Sequence, residues 1–187
     1  SSGEIDSRQG LSLFLVDAGL EGIAISRTHM VDCRNAAKIE FSQVEVAADA
    51  LLGEVDAGFD GLDKVLDIAR IGLAAEMLGS IQEVFERILD FLKTREQFGI
   101  LIGSFQGLQH RAATMYSEIE LCKSVVRAAL AGLDDPAKSR EDIAELASIA
   151  KAKLSEVFFE VSNEGIQMHG GIGMTDEFDI GFFLKRC

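Results

Sequence analysis

The sequence has 187 residues, of which 48% are apolar, and a net charge of −13 from 18 Lys and Arg against 31 Asp and Glu. This apolar content predicts a globular protein with a sizeable core and argues against a disordered chain. The acidic balance argues against a nucleic-acid-binding protein, because phosphate backbones are bound by an excess of Lys and Arg. It leaves room for a small anion held in a local basic pocket.

Three isolated cysteines, Cys33, Cys122 and Cys187, match neither a disulfide framework nor the spacing of a zinc site. This usage is typical of a reducing compartment, and Cys122 lies on an apolar helical face that predicts a place in the core. No apolar run reaches the roughly 18 residues that a membrane-spanning helix needs. The chain begins at Ser1 rather than Met, and a strand pattern follows almost at once, which indicates a fragment of a longer protein.

Residues 1–57 have the pattern of the C-terminal part of a β-domain. An apolar run rich in strand formers covers residues 11–16, and shorter apolar or alternating runs cover 23–25, 38–41 and 44–46. Strands this few and this short make only part of a sheet domain. We therefore expect a partial antiparallel β-domain ahead of the rest of the chain.

Residues 58–187 have the pattern of a helical bundle domain. Near-helical apolar spacing predicts a first helix from about 61 to 95, and a heptad seam over 105–129 predicts a second. Ser139, with Asp142 three residues later, is a candidate N-cap of a third helix. The predicted apolar stripe of the first helix is Leu62, Val65, Leu66, Ala69, Leu73, Met77, Val84, Phe85, Ile88 and Leu92.

Three long helices with short connections need a fourth to close a bundle, and we expect that helix beyond Cys187. The predicted fold class is therefore mainly α: an antiparallel four-helix bundle, incomplete at its C-terminus, preceded by the partial β-domain.

Two motifs follow long helical patterns. The first is Arg-Glu-Gln-Phe-Gly at 95–99, and the second is Gln-Met-His-Gly-Gly-Ile-Gly at 167–173. A bland interpretation exists for each: a cation favoured by the helix dipole for Arg95, and a glycine helix cap for Gly170. Three glycines within four residues exceed what a cap needs, and they allow backbone N–H groups to approach a ligand closely. An arginine next to aromatic, glycine and amide groups can bind a phosphate and a ring.

Other candidates carry weaker signals. Asp67 and Arg70 stand at i and i+3, where an intrahelical ion pair of a few tenths of a kcal/mol is the simpler interpretation. Glu76 falls within the apolar stripe, where it is either a buried base or an edge position. No metal site is expected around His169, because no ligand partner stands at a suitable spacing. The segment shows no nucleophile triad, Walker-type loop or paired carboxylates.

These motifs resemble those of the acyl-CoA dehydrogenases, flavin enzymes that desaturate acyl-CoA thioesters between Cα and Cβ. The resemblance covers nearly the whole chain. Its segments are 13–16, 41–46 and 51–53 for the family's middle β-domain, 95–99 with Phe105, Gln106 and Gln109 for the second bundle helix and its approach, and 167–173 for the closing glycine motif.

The resemblance implies FAD as cofactor, an acyl-CoA substrate, electron-transfer flavoprotein or a similar acceptor, and a homotetramer or homodimer. It assigns cofactor binding to two groups of residues and places a further pair on the helix that lines the acyl-CoA site. The groups are Arg95, Gln97, Phe98 and Gln106; Gln167, Gly170 and Gly171; and the pair Asp67 and Arg70. By this resemblance, Arg95, Phe98 and the second group contact FAD across a subunit interface, and Gln106 lies near the cofactor. The implied location is cytoplasmic in a bacterium and the mitochondrial matrix in a eukaryote.

The resemblance also implies that no catalytic residue lies within this chain. In most members the base is a Glu beyond the glycine motif, which by spacing falls past Cys187, and the position that supplies it in other members is Ala69 here. We therefore expect the fragment alone to be inactive. Where the family often has Arg-Asp, this chain has Lys185 and Arg186, which indicates a divergent subgroup or a member without the base. The alternatives are an acyl-CoA oxidase or flavin monooxygenase of the same fold, and a non-catalytic helical assembly module that has lost its flavin.

Overall fold

The computed structural model describes residues 2–3, 7–31 and 35–187. Ser1 and Cys33 therefore lie outside the described residues. The chain divides into two compact units, Ser1–Leu66 and Asp67–Cys187. Helices dominate and short antiparallel strands precede them, so the predicted fold class is confirmed.

The first unit is built from short antiparallel pairs. Strand β2 (Ile23–His29) pairs with β3 (Asn35–Phe41), with Ile23 opposite Phe41. Strand β1 (Leu13–Phe14) pairs with β4 (Leu51–Leu52). The strand predicted at 44–46 is wrong. Gln43 has a φ of 49°, which turns the chain at this point, and the partner of β1 comes from β4 instead.

Four helices and a small hairpin form most of the rest of the chain. The helices are α1 (Gly58–Thr94), α2 (Gln106–Asp134), α3 (Arg140–His169) and α4 (Ile180–Arg186). The hairpin, β5 (Glu96–Gln97) and β6 (Ile100–Leu101), connects α1 to α2. Helix α1 begins three residues before its predicted start. The short α4 and the hairpin were not predicted, because each has too few residues for a period to show. No helix in the described part of the chain is long and apolar enough to cross a membrane.

Helix α3 runs antiparallel to α2 and parallel to α1. Arg111 of α2 contacts Glu164 near the end of α3, whereas Glu118, further along α2, contacts Lys153 nearer its start. Against α1 the order is the same in both helices, since Met77 contacts Ser155 and Phe91 contacts His169. The corresponding ends of α1 and α3 therefore lie together.

The core confirms most of the predicted stripes and corrects the start of the first. Val84, Ile88 and Leu92 are buried as predicted, but Val65 and Leu66 are 60% and 43% exposed. The buried face of α1 instead begins at a carboxylate and follows steps of three, four and once seven residues: Asp67, Ile71, Ala74, Ile81, Val84, Ile88 and Leu92. Ala69, also predicted in the stripe, is exposed, and residues 65, 66 and 69 all lie off this face. An apolar pattern could not reveal this register, because the first residue of the face is charged.

Cys122 occupies the core, as the apolar seam of α2 predicts. Its side chain is fully buried, and burial raises the pKa of the thiol to about 11. A thiol with this pKa remains protonated at neutral pH and serves as a small apolar group.

The capping box predicted for α3 is confirmed. The Ser139 hydroxyl accepts a hydrogen bond from the Asp142 N–H at 3.1 Å, and the Asp142 carboxylate accepts one from the Ser139 N–H at 2.9 Å. These two bonds satisfy N–H groups that the first turn leaves without helical partners. Hydrogen bonding of the Asp142 carboxylate with the backbone N–H of Ser139, and then with the Ser139 side chain, lowers the pKa of Asp142.

We expect Ser139→Ala to lower the free energy of unfolding by about 1 kcal/mol, because the orphan N–H of the first turn loses its acceptor. Urea denaturation followed by circular dichroism at neutral pH measures this change. Ser148→Ala is the matched control, since Ser148 lies within α3 and its hydroxyl bonds only the Ala144 carbonyl of the preceding turn. Equal losses in the two variants would contradict a capping role.

Candidate functional site

The two sequence motifs meet at one end of the helical unit. Because α1 and α3 are parallel, Arg95 after α1 and the glycines after α3 lie at the same end. The His169 ring of the second motif stacks on the ring of Phe91, one helical turn before Arg95, with centroids 4.3 Å apart. Phe178 packs edge-on against both rings.

A cavity of about 380 Å³ opens at this junction. Its lining residues are Arg87, Asp90, Phe91, Thr94, Arg95, His169, Phe178 and Ile180. Arg87 is engaged by Glu83 at 2.7 Å and lies 3.7 Å from Asp179. Arg95 has no carboxylate within salt-bridge distance among the residues that the structure describes. The cavity thus combines an aromatic wall with a guanidinium group available to an anion.

His169 serves this junction as a neutral, buried ring. It is 6% exposed, and its Nδ1 lies 2.7 Å from the Gly165 carbonyl oxygen, which can only accept, so Nδ1 carries the proton. Burial lowers the pKa of the imidazole, and the Arg87 charge lowers it further, against the opposite effect of the Gly165 hydrogen bond. The described residues include no group of His, Cys, Asp or Glu that could hold a metal ion.

The hairpin between α1 and α2 presents an exposed phenylalanine in a strained conformation. Phe98 and Gly99 form its two-residue turn with φ of 56° and 77°, as in a type I′ turn that Asn-Gly favours. A bulky residue rarely adopts positive φ, and the strain costs of the order of 1 kcal/mol or more. Yet Phe98 is 90% exposed, with an edge contact to Phe105 as its one ring contact among the described residues. Folding of this unit does not explain why a phenylalanine occupies this exposed, strained position. Contact with a ligand or a partner is the better explanation.

The three glycines of the closing motif have different roles. Gly170 ends α3 with a φ of 65°, and its N–H bonds the Ile166 and Gln167 carbonyls, so the helix-cap interpretation holds for this residue. A methyl group on Gly173 would lie 2.8 Å from the Ile166 carbonyl oxygen, so packing requires this glycine. A methyl group on Gly171 would meet nothing within 4 Å. Gly171 is therefore the glycine that the fold does not require.

The amide candidates lie around this end without forming one cluster. Gln167 lines a neighbouring cavity of about 380 Å³ together with Gly173. Gln97 bonds its own neighbour, the Glu96 carbonyl, at 2.8 Å. Gln106 is the exposed first residue of α2. The structure thus joins Arg95 to His169 through one cavity and leaves the three glutamines exposed at the surface.

The remaining pair, Asp67 and Arg70, belongs to the other end of α1. From Asp67 to Arg95 the helical rise amounts to roughly 40 Å. Asp67 is only 2% exposed and contacts Arg70 at 2.5 Å as well as Arg140 of α3. The intrahelical ion pair of the simpler interpretation is therefore present, and its buried carboxylate also joins α1 to α3 through Arg140.

Glu76 is an edge position and not a buried base. Its side chain is 49% exposed and lies 2.5 Å from Arg186 of α4. Phe91 and Arg87 of the cavity were missed in the sequence, although both precede Arg95 on one face of α1 at helical spacing. Arg140 carried no signal, because its contact with Asp67 spans the fold.

Similarity to known proteins agrees with this architecture. The family model described as acyl-CoA dehydrogenase, C-terminal domain, matches residues 56–187. The chain belongs to the acyl-CoA dehydrogenase family. The resemblance drawn from the motifs is therefore confirmed.

Three similar proteins illustrate the extent of the match. Caffeyl-CoA reductase-Etf complex subunit CarC of Acetobacterium woodii is 30% identical over 96% of this chain and 47% of its own length. The mitochondrial short/branched chain specific acyl-CoA dehydrogenase of Bos taurus is 31% identical over 95% of this chain and 41% of its own. The structure of butyryl-CoA dehydrogenase from Megasphaera elsdenii has a TM-score of 0.89 at 26% identity, over 98% of this chain and 48% of that one. The chain spans about half the length of the relatives that it matches.

We expect His169→Phe to reduce the loss of stability in mild acid. The folded-state pKa of His169 lies below its ordinary value of 6.5. Below pH 6.5 the unfolded chain therefore binds a proton at this histidine more readily than the folded chain does. The free energy of unfolding consequently decreases as the pH falls from 6.5 toward the folded-state pKa. The slope is at most about 1.4 kcal/mol per pH unit. Urea denaturation at pH 7.5 and 5.5 should show a smaller difference for the variant than for the wild type. Equal differences would contradict a buried neutral imidazole.

Proposed function

We propose that this chain supplies the helical half of an FAD-dependent acyl-CoA dehydrogenase, which removes hydrogens from Cα and Cβ of an acyl-CoA thioester. The observation that supports this most is the cavity at the end of the helical unit, where Arg95 and the residue preceding the glycines line the same wall. Two motifs separated by more than sixty residues in sequence thus converge on one site.

The groups at this end suit a dinucleotide cofactor. FAD carries a diphosphate and aromatic rings, and this end offers a guanidinium group, backbone N–H groups of a glycine turn, and an aromatic ring turned outward. We assign Arg95, Gln97, Phe98 and Gln106 to the cofactor on the α1 side. On the α3 side we assign Gln167, Gly170 and Gly171.

The residues of this chain bind and orient, and FAD would supply the redox chemistry when bound. Arg95 would neutralise the diphosphate, and the exposed Phe98 ring would cover an apolar part of the cofactor. The Asp67 and Arg70 pair, at the opposite end of α1, would contact the acyl-CoA. With Glu76 bound to Arg186 and Ala69 in the alternative position of the base, we infer that the base is contributed by a residue outside 1–187.

An open, outward-facing cofactor surface also supports assembly. Phe98 is exposed and Arg95 is available to an anion, so we propose that these groups contact the FAD of a neighbouring subunit in a homo-oligomer. The similar protein from Acetobacterium woodii is named as a subunit of a complex with Etf. We propose an electron-transfer flavoprotein, or an acceptor of similar chemistry, as the redox partner of this chain.

We expect Gly171→Ala to lower the flavin content of the intact protein at least several-fold, because the added methyl group occupies space that the fold leaves open for a ligand. Flavin absorbance between 300 and 550 nm, relative to protein, measures retention after gel filtration. Gly79→Ala is the matched control, since a methyl group there also meets nothing within 4 Å and favours the helix.

Addition of acyl-CoAs to the wild type without oxygen then tests the reaction. Bleaching of the flavin bands by one of them supports a dehydrogenase, and oxygen consumption in air would favour the oxidase alternative. A colourless protein that takes up no FAD would contradict the proposal and favour an assembly module.

We expect Phe98→Asn to have opposite effects on stability and flavin binding. Asparagine tolerates positive φ, so the free energy of unfolding of the protein without flavin should rise by up to about 1 kcal/mol. Flavin affinity should fall, because the ring that covers the cofactor is gone. Denaturation of the flavin-free protein and fluorescence titration with FAD measure the two effects. Unchanged FAD affinity would show that the exposed ring serves another purpose.

A further inference from the structure

The carboxylate of Asp67 is unusual in its burial. At 2% exposure, it occupies the first position of the otherwise apolar face of α1. A buried carboxylate is tolerated when charged partners satisfy its oxygens. Asp67 therefore determines where its partners stand.

Two different arginines contact this carboxylate, one at each oxygen. Arg70 donates from Nη1 to Oδ1 at 2.5 Å, and Arg140 places Nη1 against Oδ2. Neither guanidinium is fully covered, since Arg70 is 41% and Arg140 33% exposed. Arg70 is thus anchored at one oxygen of Asp67, and its side chain remains partly exposed.

The contact of Arg140 with the second oxygen of Asp67 determines how Arg70 is oriented. A guanidinium has five N–H donors and readily binds both oxygens of one carboxylate in a fork geometry. If Oδ2 were vacated, Arg70 could take both oxygens of Asp67 and turn its outer edge inward. Arg140, by occupying Oδ2, leaves Arg70 with Oδ1 as its one carboxylate contact among the described residues and with a side chain that is 41% exposed.

We infer that Arg140 is a positioning residue that holds Arg70 outward to bind a phosphate group of the acyl-CoA. This inference rests on the proposed function, which places Arg70 at the substrate. A phosphate is the expected ligand, because its oxygens match the donors that Arg70 has left. Arg140 acts through Asp67 and need not touch the substrate.

The test is a double-mutant cycle in the intact, FAD-loaded protein, with the acyl-CoA that bleaches the flavin best. Arg140→Met should raise KM about tenfold, as expected for the loss of one charge-assisted contact, and leave kcat within about twofold. Arg70→Met should raise KM similarly. The double variant Arg70→Met/Arg140→Met should equal Arg70→Met alone, because Arg140 acts through Arg70.

Three controls separate positioning from a general structural effect. Arg140→Lys keeps a cation near Oδ2 and should restore most of the wild-type KM. Arg127→Met removes an exposed arginine of α2 and should leave KM unchanged. The acyl-pantetheine thioester lacks the phosphates of coenzyme A, so Arg140→Met should no longer affect its KM. If Arg140→Met does not fold, Arg140→Gln takes its place in the cycle, since glutamine is shorter than arginine and does not reach Oδ2.

The outcomes distinguish this inference from the function on which it rests. An unchanged KM in the Arg140 variant, additive effects in the double variant, or an equal effect with acyl-pantetheine would each overturn the positioning role while the dehydrogenase assignment stands. If no acyl-CoA reduces the flavin of the wild-type protein, both the positioning role and the dehydrogenase assignment are overturned.

Discussion

The parallel packing of α1 against α3 is the constraint on which the rest of the molecule depends. Gly165 makes close contact possible in this layer, since a methyl group there would lie 3.0 Å from Val84 and 3.1 Å from Ile180. With the helices this close, Phe91 stacks on His169 at one end and Asp67 contacts Arg140 at the other. Both candidate sites are therefore consequences of one helix pair, and each stands where an element begins or ends.

The two ends use different physics. At the hairpin end, backbone strain and an exposed aromatic ring are retained although folding gains nothing visible from them. At the Asp67 end, a charge is buried and its cost is offset by two guanidinium groups. Functional sites commonly hold such locally unfavourable features, because the surrounding structure is stable enough to maintain them.

The sequence predicted what has a period or a local signature. The three long helices, the Ser139 cap and the core position of Cys122 follow from apolar spacing and from the pairing of Ser139 with Asp142. The prediction of a strand at 44–46 was wrong because an alternating pattern alone does not supply a pairing partner. Strand β4 was too short to be detected in the sequence. The predicted start of the buried α1 face was wrong because the first buried residue, Asp67, is charged. Arg140 and Phe178 could not be found, since their contacts join residues far apart in the chain. The family motifs indicated Arg95 and the glycines, but only the structure shows that Arg95 lines one cavity with His169, the residue before the glycines.

The contrast between Gly171 and Gly173 has a consequence for the divergence of related chains. Selection for folding keeps Gly173 in every lineage with this helix ending, whereas only selection for a ligand keeps Gly171. In a lineage whose protein no longer binds the ligand, substitutions would accumulate at position 171, whereas position 173 would remain glycine. The ratio of substitutions at these two neighbouring sites would therefore record whether a lineage had kept or abandoned its ligand.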